Sequence, residues 1–223
     1  MTRVKICCIN NFHEAQMAMQ VGASALGLVG HMPSGPGVIP DAQIFTIARH
    51  TPPPVATFLL TSESRAADIV AHHRKVHTST IQIVDVLAEG TYHDIRAALP
   101  SVKLVQVVHV VGDTALQQAQ HVAPFVDALL LDSGNPHLTV KQLGGTGRVH
   151  NWQVSRQIVD AVPVPVFLAG GLHPDNVAEA IATVRPFGLD VCSGVRSQGQ
   201  LDSAKLTAFM AAVQAADQSL AQN

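Results

Sequence analysis

The sequence lacks much of what several functional classes require. No apolar stretch approaches the ~20 residues of a membrane span, and Lys5 sits where a secretory signal would hold its apolar segment. Neither sign of charge dominates: 14 Lys and Arg stand against 16 Asp and Glu, a net charge of −2, so no long-range field draws nucleic acid or an anionic membrane surface. Three cysteines, two of them adjacent at Cys7 and Cys8, are too few for a disulfide framework and lack the C-x2-C spacing of a zinc site. The 12 histidines form no H-E-x-x-H arrangement and read as polar residues of exposed helices and loops. These absences predict a cytoplasmic protein with reduced thiols and no metal, with no nucleic acid and no membrane among its partners.

What is present is apolar material in short repeated runs. The 223 residues are 47% hydrophobic and only 13% charged, enough for one sizeable core, and no linker or charge run divides them, so one domain is expected over 1–223. Eight β-branched, apolar runs read as strands: Val4 to Cys8, Ala25 to Val29, Val55 to Leu60, Thr80 to Val84, Lys103 to Val108, Ala128 to Asp132, Val164 to Ala169 and Leu189 to Ser193. A longer stretch of helical character follows each, the alternation that gives parallel strands with crossover helices. In the last helix Leu206, Phe209, Met210 and Val213 fall at i, i+3, i+4 and i+7, with Asp202 in the first turn; Phe12, Ala15 and Met19 share a face of the first. Asn151 and Pro174 mark the starts of the sixth and seventh helices. The pattern predicts an α/β fold, a single (β/α)8 TIM barrel. A doubly wound open sheet is the alternative, but the glycines cluster after the last three strands rather than after the first.

Those glycines lie in three turns: Gly144-Gly145-Thr146-Gly147, Gly170-Gly171 and Ser193-Gly194. Glycine permits close backbone approach, and barrels bind phosphate with the loops after their last strands, so Gly145, Gly147, Gly170, Gly171, Ser193 and Gly194 are expected to hold one. The longest irregular segment, Gly30 to Pro40, is expected as a loop on the functional face. Side chains alternate along a strand, so Lys5 and Cys7 are expected to point inward and Cys8 outward into the packing. Asp132 closes an otherwise apolar strand, where a carboxyl group serves as a proton donor or as a hydrogen-bonded anchor. Among the histidines His31, His109 and His137, which a metal-dependent reading would use, only His109 falls at a strand end.

Taken in order, Lys5-Ile6-Cys7, Leu131-Asp132, Gly144 to Gly147 leading to Trp152, Leu168-Ala169-Gly170-Gly171-Leu172 with Asn176-Val177, and Asp190-Val191 through Ser193-Gly194-Val195 resemble the phosphoribosylanthranilate isomerase family from one end of the chain to the other. The resemblance implies an Amadori rearrangement of a phosphorylated aminoaldose to an aminoketose in tryptophan biosynthesis, with a small phosphorylated substrate and no cofactor. It makes Cys7 the general base at C2 and Asp132 the general acid at the ring oxygen, and it leaves a homo-oligomer open. A thiolate suits the base, and Lys5 two residues before Cys7 would favour it. The chain departs from the family at several points. Pro33 to Gly37 carries no arginine where the family holds the anthranilate carboxylate, Cys8 replaces a glycine, Ile83-Val84-Asp85 replaces Leu-His-Gly, and Arg196 replaces a glutamate. A bidentate arginine has no substitute in Gly or Pro, so Arg196 or Arg148 is expected to make that contact. The alternative is a diverged paralogue that acts on, or only binds, another phosphorylated small molecule.

Overall fold

The computed structural model describes residues 1–112, 114–134 and 149–222. Eight parallel strands, β1 (Arg3–Ile6), β2 (Ala25–Val29), β3 (Ala56–Thr61), β4 (Thr80–Ile83), β5 (Lys103–His109), β6 (Ala128–Asp132), β7 (Val166–Leu168) and β8 (Gly188–Val191), pair in sequence order, and β8 closes onto β1. Around them run α1 (Phe12–Gln20), α2 (Asp41–His50), α3 (Ala66–Val76), α4 (Tyr92–Ala98), α5 (Ala115–Val122), α6 (Trp152–Ala161), α7 (Val177–Val184) and α8 (Ser203–Ala221). The fold is a (β/α)8 barrel. A short antiparallel pair, β9 (Arg196–Ser197) and β10 (Gln200–Leu201), sits between β8 and α8.

Strand alternation sorts the apolar residues into two layers. Ile6, Leu26, Leu28, Leu59, Ile81, Ile83, Leu129, Leu131, Leu168, Leu189 and Val191 pack outward with the helices. Cys7, Ala25, Val29, Phe58, Leu60, Val105, Val107, Leu130 and Phe167 fill the barrel itself. The α8 stripe of Leu206, Phe209, Met210 and Val213 is buried as its spacing predicts, and Asp202 caps that helix by accepting from the Ala204 and Lys205 amides. Asn151 caps α6 through the Gln153 amide. The seventh helix begins later than Pro174 suggests, at Val177 after the N-cap Asn176. On α1 the buried face is Glu14, Ala15 and Ala18, while Phe12 is exposed: the burial centre lies one position round from the predicted stripe.

Gly27 explains how the barrel holds polar groups. It lies between Ala25 and Val29 on the inner face of β2, and a Cβ there would stand 2.9 Å from both Cys7 Sγ and Lys5 Nζ. A missing methyl group is the space those side chains occupy.

Candidate active site

At the C-terminal ends of the strands opens a cavity of about 700 Å³ that includes open solvent, lined among others by Cys7, Cys8, Gln82, Asp132, Gly170, Gly171 and Ser193. This is the end at which barrels of this architecture place their chemistry.

The first strand stops at Ile6, so the thiols lie on the turn beyond it. Cys7 continues the ladder, its amide donating to the Val191 carbonyl at 2.8 Å, and its side chain points into the barrel as alternation predicts. Cys8 does not follow that alternation. Its φ of 60° is left-handed, which reverses the direction of its Cβ, so it faces the cavity instead of the helix layer expected for it. The glycine usual at this position in the family resembled would adopt that backbone without strain. The loop from Gly30 to Pro40 then descends onto Cys8: a Cβ on Gly37, whose own φ is 83°, would lie 2.5 Å from Cys8 Cβ. The glycine of the loop thus leaves room for the side chain on the turn.

Beneath the thiols, Lys5 is fully buried and its ammonium donates to Asp190 Oδ1 at 2.7 Å while lying over the Phe58 ring. Burial is the strongest single influence and works against its charge, but the Asp190 carboxylate together with the neighbouring Cys7 and Cys8 overcomes it and holds the ammonium above the ordinary lysine range. Across the mouth, Asp132 Oδ1 accepts from the Ser133 amide at 2.7 Å. Burial, with the Asp190 charge adding to it, pushes the Asp132 carboxyl up to about 6, against the Ser133 hydrogen bonds and Lys5, which pull the other way. A carboxyl that stays partly protonated up to about pH 6 has a proton to give.

Gly170 and Gly171 both take left-handed φ, 86° and 63°, and turn the backbone after β7 along the cavity wall. Gly194 sits against them: a Cβ there would lie 1.9 Å from the Leu172 carbonyl oxygen, so only glycine lets the turns after β7 and β8 touch. The two turns and Ser193 therefore share one side of the mouth. Gly145, Gly147 and Arg148, with His137, lie outside the described residues.

Arg196 is placed elsewhere than expected. It does not line the cavity; its guanidinium is buried below the Cys7-Cys8 turn, donating to Glu14 at 2.9 and 3.1 Å, to the Gly199 carbonyl at 3.0 Å, and to the Cys7 and Cys8 carbonyls. Both terminal nitrogens are engaged, and the Nε, which has no partner, is buried away from the cavity lining, so the fork offers no donor to a ligand carboxylate there. Sequence reasoning missed that role because the partner lies 182 residues away, and nothing local to either residue marks the pair. It also missed Gln82, an inward polar residue of β4 whose buried Oε1 has no hydrogen-bond partner at the cavity wall. Such an oxygen awaits a donor. His109 bonds the Val84 carbonyl at 3.1 Å, and among the described residues no group of three or more His, Cys, Asp or Glu could hold a metal ion.

Comparison with known proteins agrees with this geometry. Residues 4–212 match the family model for N-(5'-phosphoribosyl)anthranilate (PRA) isomerase. The chain is 38% identical to an N-(5'-phosphoribosyl)anthranilate isomerase of Haloferax volcanii, over 97% of this chain and 95% of that one. It is 35% identical to one of Methanocella arvoryzae, over 89% and 91%. Among solved structures, the phosphoribosyl anthranilate isomerase of Thermotoga maritima superposes with a TM-score of 0.79 at 27% identity, covering 96% of this chain and all of that one. A phosphoribosyl anthranilate isomerase in complex with reduced 1-(o-carboxyphenylamino)-1-deoxyribulose 5-phosphate superposes at 0.77 with 25% identity, over 96% of this chain.

Proposed function

The chain belongs to the N-(5'-phosphoribosyl)anthranilate isomerase family, and on that premise we propose that it isomerises phosphoribosylanthranilate in cytoplasmic tryptophan biosynthesis, with Cys7 as general base and Asp132 as general acid. The observation that carries this reading is the pair itself: an inward thiol and a buried carboxyl with its pKa raised to about 6 line one cavity beside the glycine turns.

Asp132 gives its proton to the furanose ring oxygen as the C1–O bond breaks, leaving an open-chain iminium. Cys7 takes the proton from C2, and the electrons of that C–H bond neutralise the iminium to form an enolamine. The enol then ketonises: its O–H proton leaves and C1 gains one, so the overall change is a proton shift with no redox partner. The walls at Gly170, Gly171 and Ser193, with Gly194 packed behind them, support a phosphate at the end of the chain remote from C1, and Gln82 Oε1 supports acceptance of a substrate hydroxyl.

One observation favours a second reading. No lysine or arginine is among the described residues lining the cavity, so the cation for an anthranilate carboxylate would have to come from Lys141 or Arg148, outside the described residues. A phosphorylated aminoaldose without that carboxylate is the alternative substrate. Complementation of a tryptophan auxotroph lacking the isomerase, repeated with Cys7→Ala and Asp132→Asn, separates them. Growth that needs both residues supports phosphoribosylanthranilate. Absent growth, with a phosphosugar still raising the melting temperature, supports the second reading, and growth with both residues replaced refutes the assigned acid and base.

A further inference from the structure

The thiols of Cys8 and Cys192 are not used by the chemistry above, yet they meet at the cavity wall. Cys8 Sγ and Cys192 Sγ lie 2.8 Å apart in a thiol–thiol hydrogen bond, both residues are free cysteines, and both line the solvent-open cavity. They sit on neighbouring strand ends: Cys7 extends β1 by bonding the Val191 carbonyl, and Cys192 follows Val191 on β8. We propose that Cys8 and Cys192 are an oxidation site, closing to a reversible disulfide on exposure to a peroxide and thereby changing the active-site wall beside Cys7.

Contact favours this pair: the Cys8 and Cys192 sulfurs already meet at 2.8 Å, so a bridge between them needs little movement. Cys7 and Cys8 are consecutive, and their Cα separation of about 3.8 Å is too short for an unstrained bond. The left-handed backbone of Cys8 is what turns its sulfur towards Cys192. Without it the side chain would point into the helix layer.

The roles within the pair follow from the surroundings of each thiol. The Cys8 hydrogen bond, helped by the nearby Arg196 charge, draws the Cys192 thiol below its ordinary range against the effect of burial. That same hydrogen bond, together with Cys7 and burial, keeps the proton on Cys8. Cys192 thiolate therefore attacks one peroxide oxygen; the O–O bond breaks, giving Cys192 sulfenic acid and hydroxide. Cys8 sulfur then attacks the sulfenic sulfur, the S–OH bond breaks, and hydroxide leaves with the Cys8 proton as water; a solvent proton makes the first hydroxide a second water. Two thiols and one hydrogen peroxide give one disulfide and two waters. A dithiol reverses it by exchange. In a reducing compartment such bonds are transient and sense oxidants.

The test uses the full-length protein, purified reduced and treated with hydrogen peroxide, followed by intact mass, peptide mapping and turnover. The expected result is loss of two hydrogens per chain, a linked peptide joining Cys8 to Cys192, Cys7 still open to alkylation, and turnover lost and then restored by dithiothreitol. Cys192→Ser and Cys8→Ala should each abolish the linked peptide. A Cys7–Cys8 link, oxygen addition at Cys7 before any disulfide, no mass change under peroxide that oxidises a small free thiol, or a Cys8–Cys192 link that leaves turnover untouched would each overturn the proposal. The loss of turnover rests on the isomerase reading, whereas the mass measurement does not. Reduced protein without isomerase activity would fail that reading alone.

Discussion

Two buried ion pairs flank the turn that carries the thiols, and they do opposite work. Inside the barrel, Lys5 and Asp190 meet through one oxygen at 2.7 Å, beneath Cys7 and within electrostatic reach of Asp132. Outside it, Arg196 and Glu14 are tied twice to each other and also to backbone: Glu14 accepts from the Asn10 and Leu201 amides at 2.9 and 3.0 Å, while Arg196 donates to the carbonyls of both cysteines. The inner pair acts through charge on groups facing the cavity, and the outer pair acts through hydrogen bonds that fix where those groups stand. A buried pair is weak evidence of stability in itself, but one whose carboxylate and terminal guanidinium nitrogens are also bonded to backbone is costly to break.

The largest effects should fall on the inner side. Cys7→Ala and Asp132→Asn should each lower kcat/KM by about 10²- to 10⁴-fold, the usual contribution of a positioned acid or base, while far-ultraviolet dichroism stays that of the parent. With Asp132 as the acid, kcat/KM of the parent should fall as pH rises through about 6, and that limb should vanish in Asp132→Asn. A limb that persists unchanged would remove Asp132 from the acid's role.

Next comes the outer pair. Arg196→Met strands Glu14, whose side chain is only 6% exposed, and should cost about 3–5 kcal/mol of stability in denaturant unfolding. Turnover of the folded fraction should fall far less than in Cys7→Ala. A variant as stable as the parent, but without turnover, would mean that Arg196 serves the substrate after all.

Asp132 then sharpens the contrast by having both kinds of effect. Its folded pKa of about 6 lies above the ordinary 3.8, so its protonated form is the one the fold favours. The stability it contributes is complete below pH 3.8 and is lost as pH rises through about 6. Asp132→Asn should therefore be the more stable protein above pH 6, by up to about 3 kcal/mol for a shift of about two units, and should lose the advantage below pH 4. A gain in stability with a loss of activity is the signature of a group kept for chemistry.

Gly27→Ala comes next, because its methyl group would meet Cys7 Sγ and Lys5 Nζ at 2.9 Å and Cys7 Cα at 3.0 Å. Overpacking of this kind costs about 1–3 kcal/mol, and here it should also displace the thiol and lower kcat. Stability lost with kcat intact would show that β2 gives way and Cys7 does not.

How much of this was legible depended on distance along the chain. Strand period and helix stripe are local, and Leu206, Phe209, Met210 and Val213 are buried as their spacing requires. The inward direction of Cys7 followed from the same period. Cys8 failed because alternation assumes extended backbone, and the strand ends two residues earlier, at Ile6. Arg196 failed because a charge at a strand end suits a ligand or a distant carboxylate equally well, and only folding brings Glu14 to it. Gly27 and Gln82 were readable in principle: a glycine and an amide on inward positions of barrel strands mark, respectively, space and function.

The smallest expected effect concerns the neighbour of the base. A non-glycine residue in the left-handed region costs about 1–2 kcal/mol, and Cys8 sits there with φ of 60°. Cys8→Gly would release that strain, offset by about 0.4–1 kcal/mol of added freedom in the unfolded chain, so a net gain of at most about 1 kcal/mol is expected in denaturant unfolding. The neighbouring change Cys7→Gly meets no such strain to release and should destabilise. If Cys8→Gly is instead clearly destabilising, then the contacts of its sulfur with Cys192 and the Pro36 carbonyl outweigh the backbone, and the turn is held from the cavity side as well as from Arg196.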